Sequence, residues 1–245
     1  MKKTFDLSAA ALHILAMTFM LMDHLWATLL SSQMWLTHIG RLAFPIFAFL
    51  AVEGYFHTRS FKRYALRMLL FAVLSEVPFD LMYGGTAFYP VHQNVIWTLL
   101  LGLLGIRLME AARAKGKCWL YVLTCAAVVV LGFALGTLGM VDYYGAGVLT
   151  VFAFYFFRER KLWCLLGQLA ALYWLNVVVL GGQMYPVTLF GREIELCEQG
   201  LALFALVPIW LYRGRQGHHS KAFQYACYAF YPAHMLVLAL LTMIQ

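Results

Sequence analysis

The chain has little charge. Only 12% of its 245 residues are Asp, Glu, Lys or Arg, while 63% are hydrophobic, against about 25% and 45–50% in ordinary soluble domains. So few ions cannot wet the whole surface of an aqueous fold, and the solvent of this protein is lipid. A disulfide framework is also missing. The five cysteines, Cys118, Cys125, Cys164, Cys197 and Cys227, stand singly, without the spacing of a disulfide scaffold or a metal motif. There is no glycine-rich phosphate loop, no internal repeat and no low-complexity linker, so residues 1–245 read as a single membrane domain. No basic patch is interleaved with aromatics, and nucleic acid is not an expected partner.

Long apolar runs fill the space that charge leaves. A membrane-crossing helix needs about 20 residues, and the hydrophobic pattern predicts nine spans, over 7–31, 37–57, 64–82, 93–112, 118–138, 141–157, 162–180, 199–212 and 221–243. The fold class is therefore all-α, a polytopic transmembrane bundle. The first run follows Met1, Lys2 and Lys3 but is too long for a secretory signal, carries Asp23 and His24 and lacks a small-residue cleavage site, so it is kept as a span. The sixth and eighth spans are short, and Gly145, Gly147 and Pro208 mark them as candidates for tilting or breaking. Trp26, Trp35, Tyr83, Tyr89, Tyr143 and Tyr144 near span ends suit an interfacial aromatic belt.

Lys and Arg concentrate in short cytoplasmic loops, which tests the span scheme independently. With the N-terminus inside, the cytoplasmic segments hold Lys2 and Lys3; Arg59, Lys62, Arg63 and Arg67; Arg107, Arg113, Lys115 and Lys117; Arg158, Arg160 and Lys161; and Arg213, Arg215 and Lys221. That is sixteen of the eighteen basic residues, leaving Arg41 and Arg192 outside. The expected C-terminus is non-cytoplasmic, and the formal charge of +7 records topology first.

An ionisable side chain at the bilayer centre costs about 2.5–3.5 kcal/mol on insertion scales, and such residues tend to face the bundle interior and mark function. Asp23 and His24 lie deep in the outer half of span one, Arg41 just inside the outer end of span two, and Glu76 and Asp80 near the outer end of span three, four apart on one helix face. Asn94 starts span four, Asp142 and Tyr143 open span six, and His234 sits in the middle-to-outer part of span nine. If these faces converge they enclose a polar pocket open to the non-cytoplasmic side, with His24 or His234 as a base. Plainer roles compete at each position. A lone histidine on an apolar helix is more often a packing residue, Arg41 suits an interfacial snorkelling position, and Asp80 and Asn94 suit helix caps. Glu53 lies deep on the inner side as a second-layer partner for the basic loops, where His218 and His219 belong to solvated loop chemistry.

The run from Ile39 through Arg41, Pro45 and Glu53 to Thr58 (IGRLAFPIFAFLAVEGYFHT) resembles the signature of the TraX family. Around it, in family order, stand Asp23-His24, Ser75-Glu76-Val77-Pro78-Phe79-Asp80, Asn94 with Thr98, Asp142-Tyr143-Tyr144-Gly145 and Phe230-Tyr231-Pro232-Ala233-His234. The resemblance covers nearly the whole chain, is most specific in spans one to four, and is thin over 113–138 and 162–198. It implies a relative of conjugation proteins associated with N-terminal acetylation of pilin, within a wider superfamily of membrane acyltransferases. The implied function is transfer of an acyl group from cytoplasmic acetyl-CoA or another acyl-CoA to an acceptor at or beyond the cytoplasmic (inner) membrane: a protein N-terminus, a sugar or a small molecule. No metal is implied, and membrane lipid is the other expected partner. Acyl transfer needs a base and an oxyanion stabiliser. The expected assignment is His24 as base, Asp23 as its orienting carboxylate and Arg41 as stabiliser, with Asn94 an alternative for the last role.

Two other functions fit the same residues. Intramembrane Asp, Glu and His also build the relays of a proton-coupled transporter or permease, although no inverted repeat is visible. A non-catalytic assembly factor of a pilus or envelope system would use the polar layer as glue. The orientation carries the first expected outcome. A reporter fused after Gln245 reads as non-cytoplasmic and one inserted near Lys115 as cytoplasmic; an inward C-terminus removes a span and undoes the depth assignments.

Overall fold

A computed structural model describes residues 6–189, 191–218 and 220–244; Lys2, Lys3 and His219 of the basic segments lie outside the described residues. Among the described residues ten α-helices follow one another. They are α1 (Ala9–Thr28), α2 (Met34–Gly40), α3 (Ala43–His57), α4 (Phe61–Gly84), α5 (Val95–Arg113), α6 (Cys118–Leu138), α7 (Tyr144–Phe156), α8 (Leu162–Tyr173), α9 (Leu206–Leu211) and α10 (Lys221–Ile244). Local chemistry sets several ends. Ser8 Oγ accepts the Ala11 N–H at 3.2 Å and Asn94 Oδ1 that of Ile96 at 3.1 Å, which satisfies donors the first helical turn leaves free. Gly85 closes α4 at φ +65°, a left-handed conformation that costs glycine little.

The nine apolar segments read from the sequence are all helical at their centres, but they are not equivalent. Among the described residues six are long and apolar enough to cross a membrane: α1, the nearly continuous α2–α3 rod (Met34–His57), α5, α6, α8 with the π-helical turn that extends it (Leu162–Leu180), and α10. The 24-residue α4 carries Lys62, Arg63, Arg67, Glu76 and Asp80, which dilutes its apolar character. The sixth segment shrinks to the 13-residue α7, and Asp142 and Tyr143 lie in the turn before it rather than in its first turn. The eighth is broken, a 3-10 helix (Glu198–Ala205) running into the six-residue α9 with Pro208 in its first turn. Between segments seven and eight, where the sequence suggests no element, an antiparallel hairpin pairs β1 (Met184–Leu189) with β2 (Arg192–Cys197), from Met184 opposite Cys197 to Leu189 opposite Arg192.

Proline breaks the α2–α3 rod. Pro45 lacks the N–H that would bond the carbonyl of residue 41, and its ring crowds that carbonyl. The helix is accordingly interrupted at Arg41 and Leu42, between α2 and α3.

The core sits on α3 and α7, most of whose side chains are buried, whereas α6 buries only Val128 and Gly136. Lipid tails are as apolar as Leu, so helices in lipid associate through close packing, often at small residues. Here α5, α6 and α7 meet at glycines. A methyl group added at Gly102 would lie 2.7 Å from Val151 Cβ, and one at Gly136 2.8 Å from the Tyr144 carbonyl oxygen.

The bundle has two distinct ends. The Leu7 N–H donates to the Leu211 carbonyl at 3.0 Å and Ala9 N–H to the Arg215 carbonyl at 2.9 Å, so α1 and α10 begin at the same end. Arg160 donates to the Trp210 and Tyr212 carbonyls there. Arg158 Nε bonds Glu53 Oε1 at 2.7 Å, which places Glu53 with the basic loops.

Overpacking a tight contact costs about 1–3 kcal/mol. Gly102→Val is therefore expected to lower the melting temperature in detergent, and Val151→Ala in the same chain to recover part of the loss. Equal melting of Gly102→Val and wild type would remove the glycine contact from the packing argument.

Candidate functional site

At the end opposite the basic loops lies a cavity of about 410 Å³. Its wall includes Asp23 and His24 from α1, Arg41 from the break between α2 and α3, Tyr83 from α4, Asp142 and Tyr143 from the turn before α7, and Glu198 at the foot of the hairpin. Five of the residues singled out from the sequence thus share one space: Asp23, His24, Arg41, Asp142 and Tyr143. His234 stands directly behind His24. Glu76, Asp80 and Asn94 do not line the cavity, and Glu53 is at the far end of α3.

Arg41 holds the centre of one network. Its Nε donates to Glu198 Oε1 at 3.2 Å and its Nη2 to the Thr37 hydroxyl at 2.9 Å, with Asp23 Oδ1 4.0 Å from Nη2. The Thr37 hydroxyl in turn lies 2.8 Å from Asp23 Oδ1 and 3.2 Å from Glu198 Oε1, and its single proton serves one of them at a time. The Arg41 and Asp23 side chains are 21% and 17% exposed, enough to keep them in contact with the cavity. Gly40 allows the approach, because a methyl group there would collide with Asp23.

His24 belongs to a different network. Successive helical residues project about 100° apart, so Asp23 and His24 point to different neighbours, and among the described residues they make no hydrogen bond to each other. The orienting partner of His24 is instead His234, with Nδ1 of the first 2.7 Å from Nε2 of the second and the rings stacked at 4.9 Å. His234 Nδ1 lies 2.7 Å from the Phe230 carbonyl oxygen. A carbonyl only accepts, so Nδ1 carries the proton, and a neutral His234 presents a bare Nε2 to accept the Nδ1–H of His24. That leaves the lone pair on His24 Nε2, which has no hydrogen-bond partner among the described residues and belongs to a ring on the cavity wall.

The rim is built from two connecting loops stitched together. Gln93 N–H donates to the Met140 carbonyl at 2.8 Å and Asp142 N–H to the Gln93 carbonyl at 2.9 Å. His92 Nε2 is 3.3 Å from Asp142 Oδ1. Burial opposes the charged form of His92, but the hydrogen bond and charge of Asp142, with the charges of Glu76 and Asp80, outweigh it and hold the imidazole above its ordinary pKa. Tyr143 takes a left-handed φ of +60° and stacks on Phe44 at 4.2 Å. Such a conformation costs a non-glycine residue on the order of 1–3 kcal/mol and tends to cluster at functional sites.

Glu76 and Asn94 have structural work beside the cavity. Asn94 caps α5 and donates to the Ala72 carbonyl at 2.8 Å and Glu76 Oε1 at 2.6 Å, while Trp97 Nε1 also donates to Glu76. Asp80 accepts the Tyr89 N–H at 2.8 Å. Glu198 was not singled out from the sequence. The signal existed, since it is a carboxylate immediately before an apolar run, as Asp142 is, but it falls in the connecting chain between the spans at 162–180 and 199–212. Of the other wall residues, Tyr83 reads in the sequence as interfacial belt, Tyr231 stands in the run that resembles the TraX family, and His92 gave no signal.

The fold and the cavity define a class: a helical membrane protein with an open polar cavity at one end of the bundle, lined by a histidine and an arginine held in separate hydrogen-bond networks. Residues 8–242 match the family model described as TraX protein, and the chain belongs to the TraX family. It is also 28% identical over 252 residues to the "Probable fimbrial assembly protein FimC, serogroup H1" of Dichelobacter nodosus, with 97% of each chain covered. No solved structure matches it.

Hydrogen bonds to charged groups contribute about 1.5–3 kcal/mol. Glu198→Ala leaves Arg41 without its nearest carboxylate and is expected to lower thermal stability by an amount in that range, whereas Glu198→Gln, which keeps an acceptor oxygen, loses less. Identical melting of all three proteins would mean that the Arg41–Glu198 contact contributes nothing.

Proposed function

We propose that this protein is a multi-pass membrane acyltransferase that carries an acyl group, acetyl in the simplest case, from cytoplasmic acyl-CoA to an acceptor at or beyond the cytoplasmic membrane. In this reading the chain crosses nine times, α7 and the broken Glu198–Leu211 segment being short crossings, with the N-terminus cytoplasmic and the cavity on the outer side. The basic connections gathered at the opposite end of the bundle support that orientation. The observation that carries the reading is the free Nε2 lone pair of His24 on a cavity wall shared with the Arg41 guanidinium.

The chemistry follows from those two groups. His24 Nε2 takes the proton of the acceptor N–H or O–H as that nitrogen or oxygen bonds the thioester carbonyl carbon. The oxygen that gains charge is stabilised by the Arg41 guanidinium, held in place before reaction by Glu198, Thr37 and Asp23. As the carbon–sulfur bond breaks, the proton passes from His24 to the departing sulfur, and the products are the acylated acceptor and a free thiol. His234 keeps the His24 lone pair on the cavity side throughout, the orienting role that the sequence assigns to Asp23. Asp23 acts on Arg41 instead. Asp23, Asp142 and Glu198 give the described wall three carboxylates for one permanent cation, which favours an acceptor that arrives as an ammonium, such as a protein N-terminus, and gives one proton to water before the neutral amine attacks.

A second reading has its own support. Full-length similarity to a protein named for fimbrial assembly makes a pilus-related role natural, whether the pilus subunit is the acyl acceptor or the protein serves assembly without catalysis. The two separate on thiol release from acetyl-CoA by the purified protein in lipid nanodiscs with an amine acceptor. Loss of a general base typically costs about 10²–10⁴-fold in rate, so His24→Ala is expected to lose nearly all transfer and Arg41→Lys most of it, while His13→Ala, nearer the opposite end of α1, keeps it. No thiol release by wild type leaves the assembly role, and equal rates for wild type and His24→Ala refute His24 as base.

A further inference from the structure

The other end of α3 bounds a second recess, of about 690 Å³. It lies about 22 Å from Arg41, fifteen residues at roughly 1.5 Å each. Arg59 from the α3–α4 connection, Lys62 from the first turn of α4 and Arg107 from α5 line it, with Phe56, Phe61 and Glu110. The cations are unpaired. Among the described residues none of the three has a carboxylate within 4.0 Å. Glu110, the one carboxylate among the described residues of the wall, is engaged by the Tyr155 hydroxyl at 2.6 Å and by Arg113 at 3.4 Å. The aromatic rings are placed by cations: Arg107 lies 5.9 Å above Phe61, and Arg158, already bonded to Glu53, covers Phe56 at 4.1 Å.

The positive-inside rule accounts for cations at this end of the bundle but not for their convergence. Arg63, Lys115 and Lys117 satisfy the same rule and stay outside the recess, while residues from two helices about fifty positions apart in the chain converge on one hollow. Three like charges around a concavity repel one another unless an anion sits between them, and guanidinium groups match phosphate oxygens in charge and in hydrogen-bond geometry. Aromatic walls add a surface on which a planar ring can stack.

We propose that this recess binds a phosphorylated nucleoside, the nucleotide end of the acyl-CoA donor, with Arg59, Lys62 and Arg107 on the phosphates and Phe56 and Phe61 beside the base. The proposal rests on the acyltransfer reading and deepens it by naming where the donor is held. The phosphates and thioester of such a donor lie at opposite ends of a long flexible arm, and delivery of the thioester to the outer cavity requires the packing between the two recesses, which share no lining residue, to open. An anionic lipid headgroup shares the phosphate but has no base to stack.

The test uses the full chain in nanodiscs of zwitterionic lipid, with adenosine 3′,5′-bisphosphate as the probe and binding measured by calorimetry. Wild type is expected to bind it, more tightly than inorganic phosphate and less tightly as salt rises. Lys62→Gln with Arg107→Gln is expected to weaken binding by at least about tenfold, roughly the loss of one charge-assisted contact, while melting as wild type does. Lys62 in wild type is expected to be protected by the bisphosphate from amine acetylation read by mass spectrometry, a measurement that needs no variant to fold. No binding by wild type, unchanged binding by the double variant, or no protection of Lys62 overturns the proposal. So does displacement of the bisphosphate when phosphatidylglycerol is added to the nanodiscs, which would make the recess a headgroup site. Binding without thiol release from acetyl-CoA would keep the recess and sink the acyltransfer reading, so the two fail separately.

Discussion

A polar group inside an apolar slab has to find its partner there, because lipid offers none. The Arg41 guanidinium is where this constraint presses hardest. It is supplied by the break that Pro45 causes in the α2–α3 rod, and it draws to one point a carboxylate from α1, a hydroxyl from α2 and a carboxylate from the foot of the hairpin. Elements about 20 and 160 residues away in the chain are thereby fixed to one another around a cavity. Removing water from these charges is expensive, and the network offsets that cost only because each carboxylate meets a donor.

The same rule organises the histidines. A single imidazole on α1 would leave both ring nitrogens without a partner; in the pair, whose donors run toward a backbone carbonyl, only His24 Nε2 on the cavity wall has none among the described residues. Phe230 has that carbonyl one helical turn before His234, and the direction of the chain then settles which nitrogen of His24 is bare. Orientation of His24 by a second, neutral imidazole puts no additional formal charge in the bundle. A carboxylate in the same place would hold the imidazolium more strongly, and the structure spends its carboxylates on Arg41 and His92 instead.

The two ends of α3 are chemically opposite. One end meets carboxylates and tyrosines around a cavity, the other meets arginines and a lysine that have no carboxylate partner among the described residues, beside phenylalanine rings, and apolar side chains of α3 and α7 fill the core between them. A helix of this kind holds the two recesses apart, with its length set by 1.5 Å per residue. The glycine contacts among α5, α6 and α7 bring those helices into close packing.

The sequence by itself determined the medium, the helical class and the positions of the apolar segments, because hydrophobicity is a property of each residue and survives averaging over a window. It also marked Asp23, His24, Arg41, Asp142 and Tyr143, since polar residues in apolar runs are conspicuous. Only the tertiary structure decided who partners whom. Asp23 and His24 are adjacent in the chain and part company because a helix turns about 100° per residue; Arg41 and Glu198 are 157 residues apart and meet because a break and a hairpin bring them to one level. Glu76 and Asn94 look like site residues in sequence and serve a helix cap in space, a distinction that depends on where a side chain points and not on what it is. The hairpin was illegible for a related reason: two six-residue strands between spans carry too few residues to show a period, and what defines them is their pairing.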